Sequence, residues 1–178
     1  SVKKSFEDPH LANLVNVQGT KNLLTAIDQF VPKSKMLVVS SAEVYGNVSQ
    51  IPISESSPLQ SHSPYAQSRI DQENLIKQYP HLAIVIARSF NHTGPGQSDT
   101  FVIPSFCKQI IMMEKSLSEP ILSVGDLNVV RDFSDVRDVV AAYILLAQKG
   151  LVGEVYNVGS GVGYKLADLL NYIVSQSQ

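Results

Sequence analysis

The chain has 178 residues, of which 44% are hydrophobic and 17% are charged, and its net charge at pH 7 is −2. This composition is ordinary for a globular domain with its own hydrophobic core. The near-neutral charge argues against a nucleic-acid-binding surface, and no apolar run approaches the roughly 20 residues that span a bilayer. The single cysteine, Cys107, excludes an internal disulfide and a cysteine-based zinc cluster, so we expect a cytoplasmic protein without a bound metal.

Helix signals recur along the chain. Ser63 precedes Pro64, which is the pattern of a helix N-cap followed by proline at the first helical position. Asp135 stands before another apolar periodic segment and predicts a second capped helix. We predict helices over residues 10–30, 63–78, 101–116, 135–149 and 165–176.

Short continuous apolar runs between these helices predict strands that are buried on both faces. The clearest of them is the run 36–39. Strands that alternate with helices indicate an α/β fold with a doubly wound, Rossmann-like parallel sheet. We predict strands over residues 35–41, 82–87, 121–124, 129–133 and 154–158, and loops over 46–62 and 91–99.

Polar residues close two of the predicted strands. Ser40 and Ser41 end the first strand, and Phe90 and Asn91 follow the second. Because ligands of parallel α/β sheets bind at the carboxyl ends of the strands, we expect these residues to point into one cleft.

A phosphate-binding glycine turn is missing from the sequence. Neither G-x-G-x-x-G nor G-x-x-G-x-x-G occurs in it, and the glycine-rich stretch 159–163 follows a late strand and is predicted to be a turn. A dinucleotide-binding domain usually opens with a strand, this glycine turn and a helix, whereas this chain opens on a helix-forming segment. We therefore expect a sheet that is incomplete at its N-terminal half, a chain that is the latter part of a longer protein, and no activity from this chain alone.

Tyr65 and Arg69 are the candidate reactive pair. They are four residues apart on a predicted helix and so share a face. A cation on that face stabilises the phenolate, which makes tyrosine a usable acid or base for a hydroxyl or carbonyl oxygen. The hydroxyl of Ser41, at a strand end, can hydrogen-bond the same oxygen. On spacing alone, a surface pair without function is the commoner explanation of such a tyrosine and arginine.

The motifs around this pair occur in a fixed order along nearly the whole chain. As a set they resemble the extended short-chain dehydrogenase/reductases (NAD-dependent epimerase/dehydratase family) that act on nucleoside-diphosphate sugars. The stretch 88–97 is most similar to GDP-4-keto-6-deoxy-D-mannose reductases. The segments that carry the resemblance are 16–24, 38–46, 63–68, 88–97, 130–136 and 154–161.

The resemblance implies an enzyme that reduces a GDP-4-keto-6-deoxy-hexose with NAD or NADP as its cofactor. Three alternatives stay open. Two are enzymes of the same family, a GDP-mannose 4,6-dehydratase and a nucleoside-diphosphate-sugar 4-epimerase. The third is a non-catalytic nucleotide-sugar-binding relative whose Tyr-x-x-x-Lys site has decayed, because Arg69 stands at the position of the lysine.

The resemblance also implies the roles of the site residues. Ser41 would hydrogen-bond the sugar C4 oxygen, Tyr65 would exchange a proton with it, and Arg69 would hold the nicotinamide ribose. Ser40 and Phe90 would join Tyr65 and Arg69 in cofactor binding. The substrate would be bound by Asn91, His92, Val102 and Arg131, with Asn91 and Arg131 on the diphosphate.

Two residues bear on which enzyme this is. If the first strand continues past Ser41, then Glu43 faces the same way and matches the base with which related dehydratases remove the C5 proton. Arginine does not replace lysine freely, because its planar fork differs from a compact ammonium. The sequence alone therefore favours a gain of activity for Arg69→Lys in the intact protein.

The predicted organisation has two parts. Residues 1–90 are expected to be the C-terminal portion of the dinucleotide-binding domain, and residues 91–178 mostly the substrate-binding part. Within the latter, residues 121–160 are expected to contribute strands and a helix back to the main sheet. The resemblance further implies a homodimer that packs through the helix over 10–30 and the helix carrying Tyr65, with no nucleic-acid or membrane partner.

Overall fold

The computed structural model describes residues 2–48 and 50–177. The chain forms two compact units, the first made of Ser1–Phe90 and Val139–Val158 and the second of Asn91–Asp138 and Gly159–Gln178. Among the described residues, the helices are too short or too polar for any of them to cross a lipid bilayer.

The helices, in chain order, are α1 (Val2–Glu7), α2 (Pro9–Asn13), α3 (Gly19–Phe30), α4 (Pro64–Ile76), α5 (Val102–Glu114), α6 (Val136–Lys149) and α7 (Leu166–Ser175). The strands are β1 (Met36–Ser41), β2 (Ile84–Ser89), β3 (Asn91–Thr93), β4 (Val130–Asp135), β5 (Val155–Val158) and β6 (Gly163–Lys165). A π-helical segment, Leu14–Gln18, joins α2 to α3, and a 3₁₀ turn, Ala42–Tyr45, follows β1.

The first unit is built on a parallel sheet in the order β1-β2-β5. Ser41 pairs with Ser89, and Ser89 with Val158, so the three strands end at the same edge. Every residue of the central strand β2 is buried, which explains its continuous apolar run. The α/β class predicted from the sequence is confirmed.

Alternate residues of these strands pack into two clusters, because successive side chains of a strand point to opposite faces. On one face, residues of β1 and β2 pack with residues of α3 and α4. On the other face, Leu37 and Ala87 pack with Val139, Tyr143 and Leu146 of α6. Both faces of the first sheet are therefore covered by helices.

The helix α4 begins where the sequence predicts. The Ser63 hydroxyl accepts a hydrogen bond from the Ala66 N–H at 3.0 Å, and Pro64 occupies the first helical position. This cap fixes the start of the helix that carries Tyr65. The predicted helix over 10–30 is also confirmed, although α2 passes into α3 through the π-helical segment, which has no local sequence signal.

The second unit contains a sheet in the order β3-β4-β6, in which β3 is parallel and β6 antiparallel to β4. Its core lies between α5 and α7, where Phe106 and Ile110 pack against Leu170. The strands β3 and β6 were not expected, since residues 91–99 are predicted as a loop and residues 159–163 as a turn. Each is only three residues long and is held by a partner distant in sequence.

The strand predicted over 121–124 is wrong. The side chain of Gln109 on α5 takes both backbone groups of Ser123, accepting from its N–H at 2.8 Å and donating to its carbonyl at 3.1 Å. These bonds replace a strand ladder. Of the strands and helix that residues 121–160 were expected to contribute to the main sheet, β5 and most of α6 belong to the first unit, whereas β4 joins the second sheet.

A buried ion pair ties α4 to the first sheet. Arg88 of β2 and Glu73 of α4 are 5% and 2% exposed. The Arg88 Nε and Nη2 atoms donate to the two carboxylate oxygens of Glu73 at 3.0 and 2.6 Å. The Ser40 hydroxyl donates to the same carboxylate at 2.6 Å. Burial acts to lower the pKa of Arg88, but the hydrogen bonds that Arg88 donates to Glu73 and Tyr45 outweigh it and raise this pKa.

Hydrogen bonds also link the Arg88–Glu73 pair to β5, which lies beside β2 on the side away from β1. Arg88 Nη1 donates to the Tyr45 hydroxyl at 3.0 Å, and this hydroxyl donates to Asn157 Oδ1 of β5 at 2.7 Å. Burial raises the pKa of Tyr45, although the bond from Arg88 opposes the shift. Glu55 also joins this network, because its carboxylate accepts from the Asn157 N–H at 2.9 Å.

Glu73→Gln should lower the free energy of unfolding by about 3–5 kcal/mol, because it leaves the buried Arg88 guanidinium without its counter-charge. Urea unfolding followed by circular dichroism measures the change. The matched control is Arg137→Gln, which breaks an exposed ion pair with Asp135 and should leave the unfolding midpoint unchanged. A wild-type midpoint for Glu73→Gln would contradict the prediction.

Candidate active site

The structure brings Tyr65 and Arg69 together on α4, where both side chains are half-buried. Arg69 Nε donates to the Tyr65 hydroxyl at 3.3 Å, and the guanidinium carbon lies 5.3 Å from the centre of the tyrosine ring. The pair is therefore joined both by a hydrogen bond and by a cation–π contact.

A second nitrogen of the Arg69 guanidinium is also bonded to the protein. Its Nη1 atom donates to the Val39 carbonyl of β1 at 3.1 Å and to Gln72 Oε1 at 2.9 Å. An arginine fork can make these bonds while its Nε faces Tyr65, whereas a lysine ammonium has no such fork. Arg69 therefore connects the tyrosine to an edge strand of the first sheet.

A cavity of about 330 Å³ opens beside this pair. Its size lies at the lower end of the range for small-molecule sites. The Ser5 hydroxyl on its wall accepts from the Tyr65 N–H at 3.1 Å, which satisfies one of the free amides in the first turn of α4. Besides Tyr65 and Arg69, the lining residues are Lys4, Ser5, Asp8, Leu11, Ala12, Val15 and Asn16.

The two serines at the end of β1 have different environments. Ser40 is buried and its hydroxyl donates to Glu73, so this side chain is part of the contact between β1 and α4. Ser41 is half-buried, and its oxygen accepts from the Glu43 N–H at 3.2 Å. This bond leaves the Ser41 O–H as a donor for a substrate oxygen.

Glu43 does not lie beside Ser41 on a continuing strand, as strand alternation would require. The strand β1 ends at Ser41, and Glu43 lies in the following 3₁₀ turn with its side chain exposed. Ser41 is the N-cap of this turn, which is why the chain leaves the strand there. The predicted role of Glu43 as a base is not tested by this geometry, but it no longer follows from strand alternation.

Phe90 follows β2 in the first unit, where its N–H donates to the Val158 carbonyl at 2.8 Å. The predicted substrate residues all belong to the second unit. Asn91 pairs with Phe133 in the register of β3 and β4, so Asn91 and Arg131 lie on the same face of that sheet. Both are exposed.

The other two predicted substrate residues, His92 and Val102, are less exposed to solvent. His92 is a half-buried residue of β3, and its carbonyl accepts from Gln97 Nε2 at 3.1 Å. Val102 begins α5 and packs against the core of the second unit. In residues 2–48 and 50–177, no three His, Cys, Asp or Glu side chains are grouped so that they could hold a metal ion.

The turn predicted over 159–163 is confirmed up to residue 162, since β6 begins at Gly163. Two of its backbone N–H groups already donate to a protein side chain. The N–H groups of Ser160 and Gly161 donate to the carboxylate of Asp132 at 2.9 and 2.8 Å. These are the groups that a phosphate cradle would need, so the turn binds a protein carboxylate instead.

Several residues of the site were missed by the sequence analysis. Gln72 follows Arg69 by three residues, a spacing that places it on the same helix face and would have identified it. Asn16 donates to the Ser68 hydroxyl at 2.9 Å, and Thr20 accepts from Gln72 at 2.7 Å. These two contacts join residues 52 positions apart and have no local signal.

The family model described as GDP-mannose 4,6 dehydratase matches residues 1–178. The GDP-6-deoxy-D-mannose reductase of Pseudomonas aeruginosa is 40% identical over 182 residues, which cover 99% of this chain and 60% of that protein. The human dTDP-D-glucose 4,6-dehydratase is 32% identical over 163 residues, covering 90% of this chain and 45% of that protein. The chain thus spans about half to three fifths of the length of these relatives.

A solved structure has the same fold. The structure of RMD from Pseudomonas aeruginosa complexed with NADPH superposes with a TM-score of 0.95 at 39% sequence identity. The superposition covers 100% of this chain and 63% of that one.

The contacts of Arg69 predict a loss of stability for Arg69→Lys, a substitution for which the sequence alone favours a gain of activity. A lysine donates from a single nitrogen and cannot reproduce the two guanidinium nitrogens that reach Tyr65 and the Val39 and Gln72 oxygens, so the substitution should lower the free energy of unfolding by about 1–3 kcal/mol. Urea unfolding measures the loss. Arg131→Lys on the exposed part of β4 is the control and should be neutral. Equal stability of Arg69→Lys and the wild type would show that lysine fits the same contacts.

Proposed function

Because this chain belongs to the GDP-mannose 4,6 dehydratase family, we propose that the whole protein reduces a GDP-4-keto-6-deoxy-hexose with NADH or NADPH. The observation that carries the proposal is the hydrogen bond from Arg69 Nε to the Tyr65 hydroxyl at the wall of a cavity. The similarity to the Pseudomonas aeruginosa reductase supports the reductase over other members of the family and supports GDP as the nucleotide.

Tyr65 is the proton donor of the proposed reaction. Its phenol gives a proton to the oxygen at C4 of the sugar as that oxygen gains negative charge. Arg69 stabilises the phenolate that remains, since its charge lies within hydrogen-bonding distance of the tyrosine oxygen. The Ser41 hydroxyl donates to the same C4 oxygen and orients the carbonyl.

The fit of a nicotinamide cofactor to this chain is partial. Tyr65 and Arg69 present hydroxyl and guanidinium groups to the cavity, and these suit the ribose of a nicotinamide nucleoside. A glycine turn for the pyrophosphate is not found in this sequence. When bound, the cofactor supplies the hydride that reduces the C4 carbonyl.

The second unit offers groups for the nucleotide sugar. Arg131 is exposed on the same sheet face as Asn91, and a guanidinium binds phosphate oxygens through two parallel hydrogen bonds. We assign the diphosphate to these two residues, a further substrate contact to His92 and the base to the backbone near Val102. Residues 91–178 are then mostly substrate-binding, and residues 1–90 contribute to the cofactor side.

A second candidate reaction is the 4,6-dehydration of GDP-mannose. The exposed carboxylate of Glu43 favours it, because that reaction needs a base for the C5 proton.

A cytoplasmic location, expected from the single cysteine, stays a prediction.

The assay uses the whole protein with GDP-4-keto-6-deoxy-mannose and either NADPH or NADH, followed at 340 nm. Tyr65→Phe should lower kcat about 100-fold to 10,000-fold, because it removes the proton donor. Arg69→Lys should lower kcat less, since it keeps the charge. Tyr172→Phe, which alters an exposed tyrosine of α7, is the matched control and should be neutral.

Other outcomes select the alternatives. Conversion of GDP-mannose to a 4-keto sugar, lost in Glu43→Gln, would replace the reductase by the dehydratase. Interconversion of C4 epimers of a nucleotide sugar would indicate an epimerase. A thermal shift with GDP-sugars but no turnover of any substrate would indicate a binding protein with a decayed site, and would contradict the proposal.

We also propose that the whole protein is a homodimer that packs through the helical segment 10–30 and α4. Large apolar side chains are exposed along the first of these elements, where water contact is unfavourable. Those that do not line the cavity beside Tyr65 include Leu14, Leu23 and Phe30.

Leu23→Glu should shift the whole protein from dimer to monomer, because it places a charge in the proposed apolar interface. Sedimentation velocity measures the change. Leu145→Glu, which alters an exposed apolar residue of α6, is the control and should leave the dimer intact. A wild-type protein that sediments as a monomer would contradict the proposal.

A further inference from the structure

Gln72 is a buried amide that lies between the reactive pair and the preceding helix. It is 5% exposed and sits on α4, one turn after Arg69. Its Oε1 accepts from Arg69 Nη1 at 2.9 Å, and its Nε2 donates to the Thr20 hydroxyl of α3 at 2.7 Å. Thr20 is itself 6% exposed. The bond to Thr20 is therefore buried, and the bond to Arg69 is partly buried.

The orientation of this amide is fixed by the groups on its two sides. The Thr20 O–H donates to the Asn16 carbonyl at 2.7 Å, so the Thr20 oxygen can only accept from Gln72. The amide NH₂ must then face Thr20, and the amide oxygen must face Arg69. Arg69 in turn has donors only, so an amide turned the other way would set N–H against N–H.

This orientation decides where Arg69 points. The Val39 carbonyl and the Gln72 oxygen both accept from Nη1, which holds one side of the guanidinium against the protein. The planar fork then directs Nε at the Tyr65 hydroxyl. Without the Gln72 oxygen, Nη1 would keep only its bond to the Val39 carbonyl, and the half-buried guanidinium could rotate away from Tyr65.

We propose that Gln72, oriented by Thr20, is a positioning residue that holds Arg69 Nε against the Tyr65 hydroxyl. Gln72 touches neither of the proposed ligands and acts through Arg69. Gln72 has this role because residue 69 is an arginine. The Nη1 atom of that arginine needs an acceptor on the protein side, and Gln72 Oε1 supplies one. The kinetic part of the test rests on the proposed reductase activity, whereas the spectroscopic part does not.

The spectroscopic test follows the Nε–H signal of Arg69 in ¹⁵N-labelled whole protein, identified by its loss in Arg69→Lys. Gln72→Met keeps the length of the side chain but removes the acceptor, and should speed hydrogen exchange of this Nε–H about 10-fold or more, since a bond of about 1.4 kcal/mol is lost. Gln72→Glu restores an acceptor and should return slow exchange. Gln67→Met, at an exposed glutamine of the same helix, is the matched control.

The kinetic test separates positioning from general loss of structure. Gln72→Met should lower kcat about 10-fold with KM within about twofold, because misorientation affects the reacting geometry more than binding. If Gln72→Met does not fold, Thr20→Val frees the amide orientation and should give the same two changes.

Slow exchange of the Arg69 Nε–H in a folded Gln72→Met protein would overturn the proposal, as would a parallel loss in Gln67→Met. If the wild-type protein reduces no sugar, the proposed function fails, and the exchange measurement still decides the role of Gln72.

Discussion

The buried pair of Arg88 and Glu73 is the constraint on which the first unit depends. Two charges that are almost fully removed from water are tolerated only when each is paired and hydrogen-bonded. Here the carboxylate accepts from Arg88 and Ser40, while the guanidinium also reaches Tyr45. One pair thus joins the helix α4, two neighbouring strands and the turn after β1. Such a pair favours one arrangement of α4 against the sheet, because an arrangement that separates the partners leaves two buried charges uncompensated.

The reactive pair uses the helix that this network fixes. Glu73 follows Gln72 directly on α4, so the same turn is anchored to the sheet by one residue and to α3 by the other. One turn earlier, Arg69 reaches Val39 of β1, and at the start of the helix Ser63 caps its first turn. The position of Tyr65 is therefore determined by hydrogen bonds that hold α4 to the sheet, to α3 and at its own first turn. A site built in this way needs little reorganisation during a reaction.

The sequence was sufficient for the elements whose signals are local. The cap at Ser63, the apolar run of β1 and the spacing of Tyr65 and Arg69 each follow from residues within one turn or one strand. Most of what failed depended on distant partners. The run 121–124 resembles a strand, but Gln109 takes the backbone of Ser123. The position of Glu43 failed for a local reason, because the Ser41 side chain caps a turn that takes the chain out of the strand there. The bond between Thr20 and Gln72 joins two helices and cannot be inferred without the fold.

The contacts of Arg69 also change the interpretation of an arginine at the position where the family has a lysine. From the sequence alone it is a departure that weakens the case for catalysis. In the structure its guanidinium makes three hydrogen bonds, one of which reaches the tyrosine that would move the proton. The acceptors Val39 and Gln72 suit a planar fork. These contacts therefore hold Arg69 in place beside Tyr65. Its function in catalysis requires that the Tyr65 hydroxyl contacts a substrate oxygen.

A crystal structure of the whole protein with GDP-mannose and NADPH tests this most directly. The account predicts the Tyr65 hydroxyl at about 2.6–3.2 Å from the sugar O4, the distance required for proton transfer. It also predicts that Arg69 keeps its bonds to Tyr65, Val39 and Gln72. A sugar bound with O4 far from Tyr65, or an Arg69 side chain turned away from the tyrosine, would contradict it.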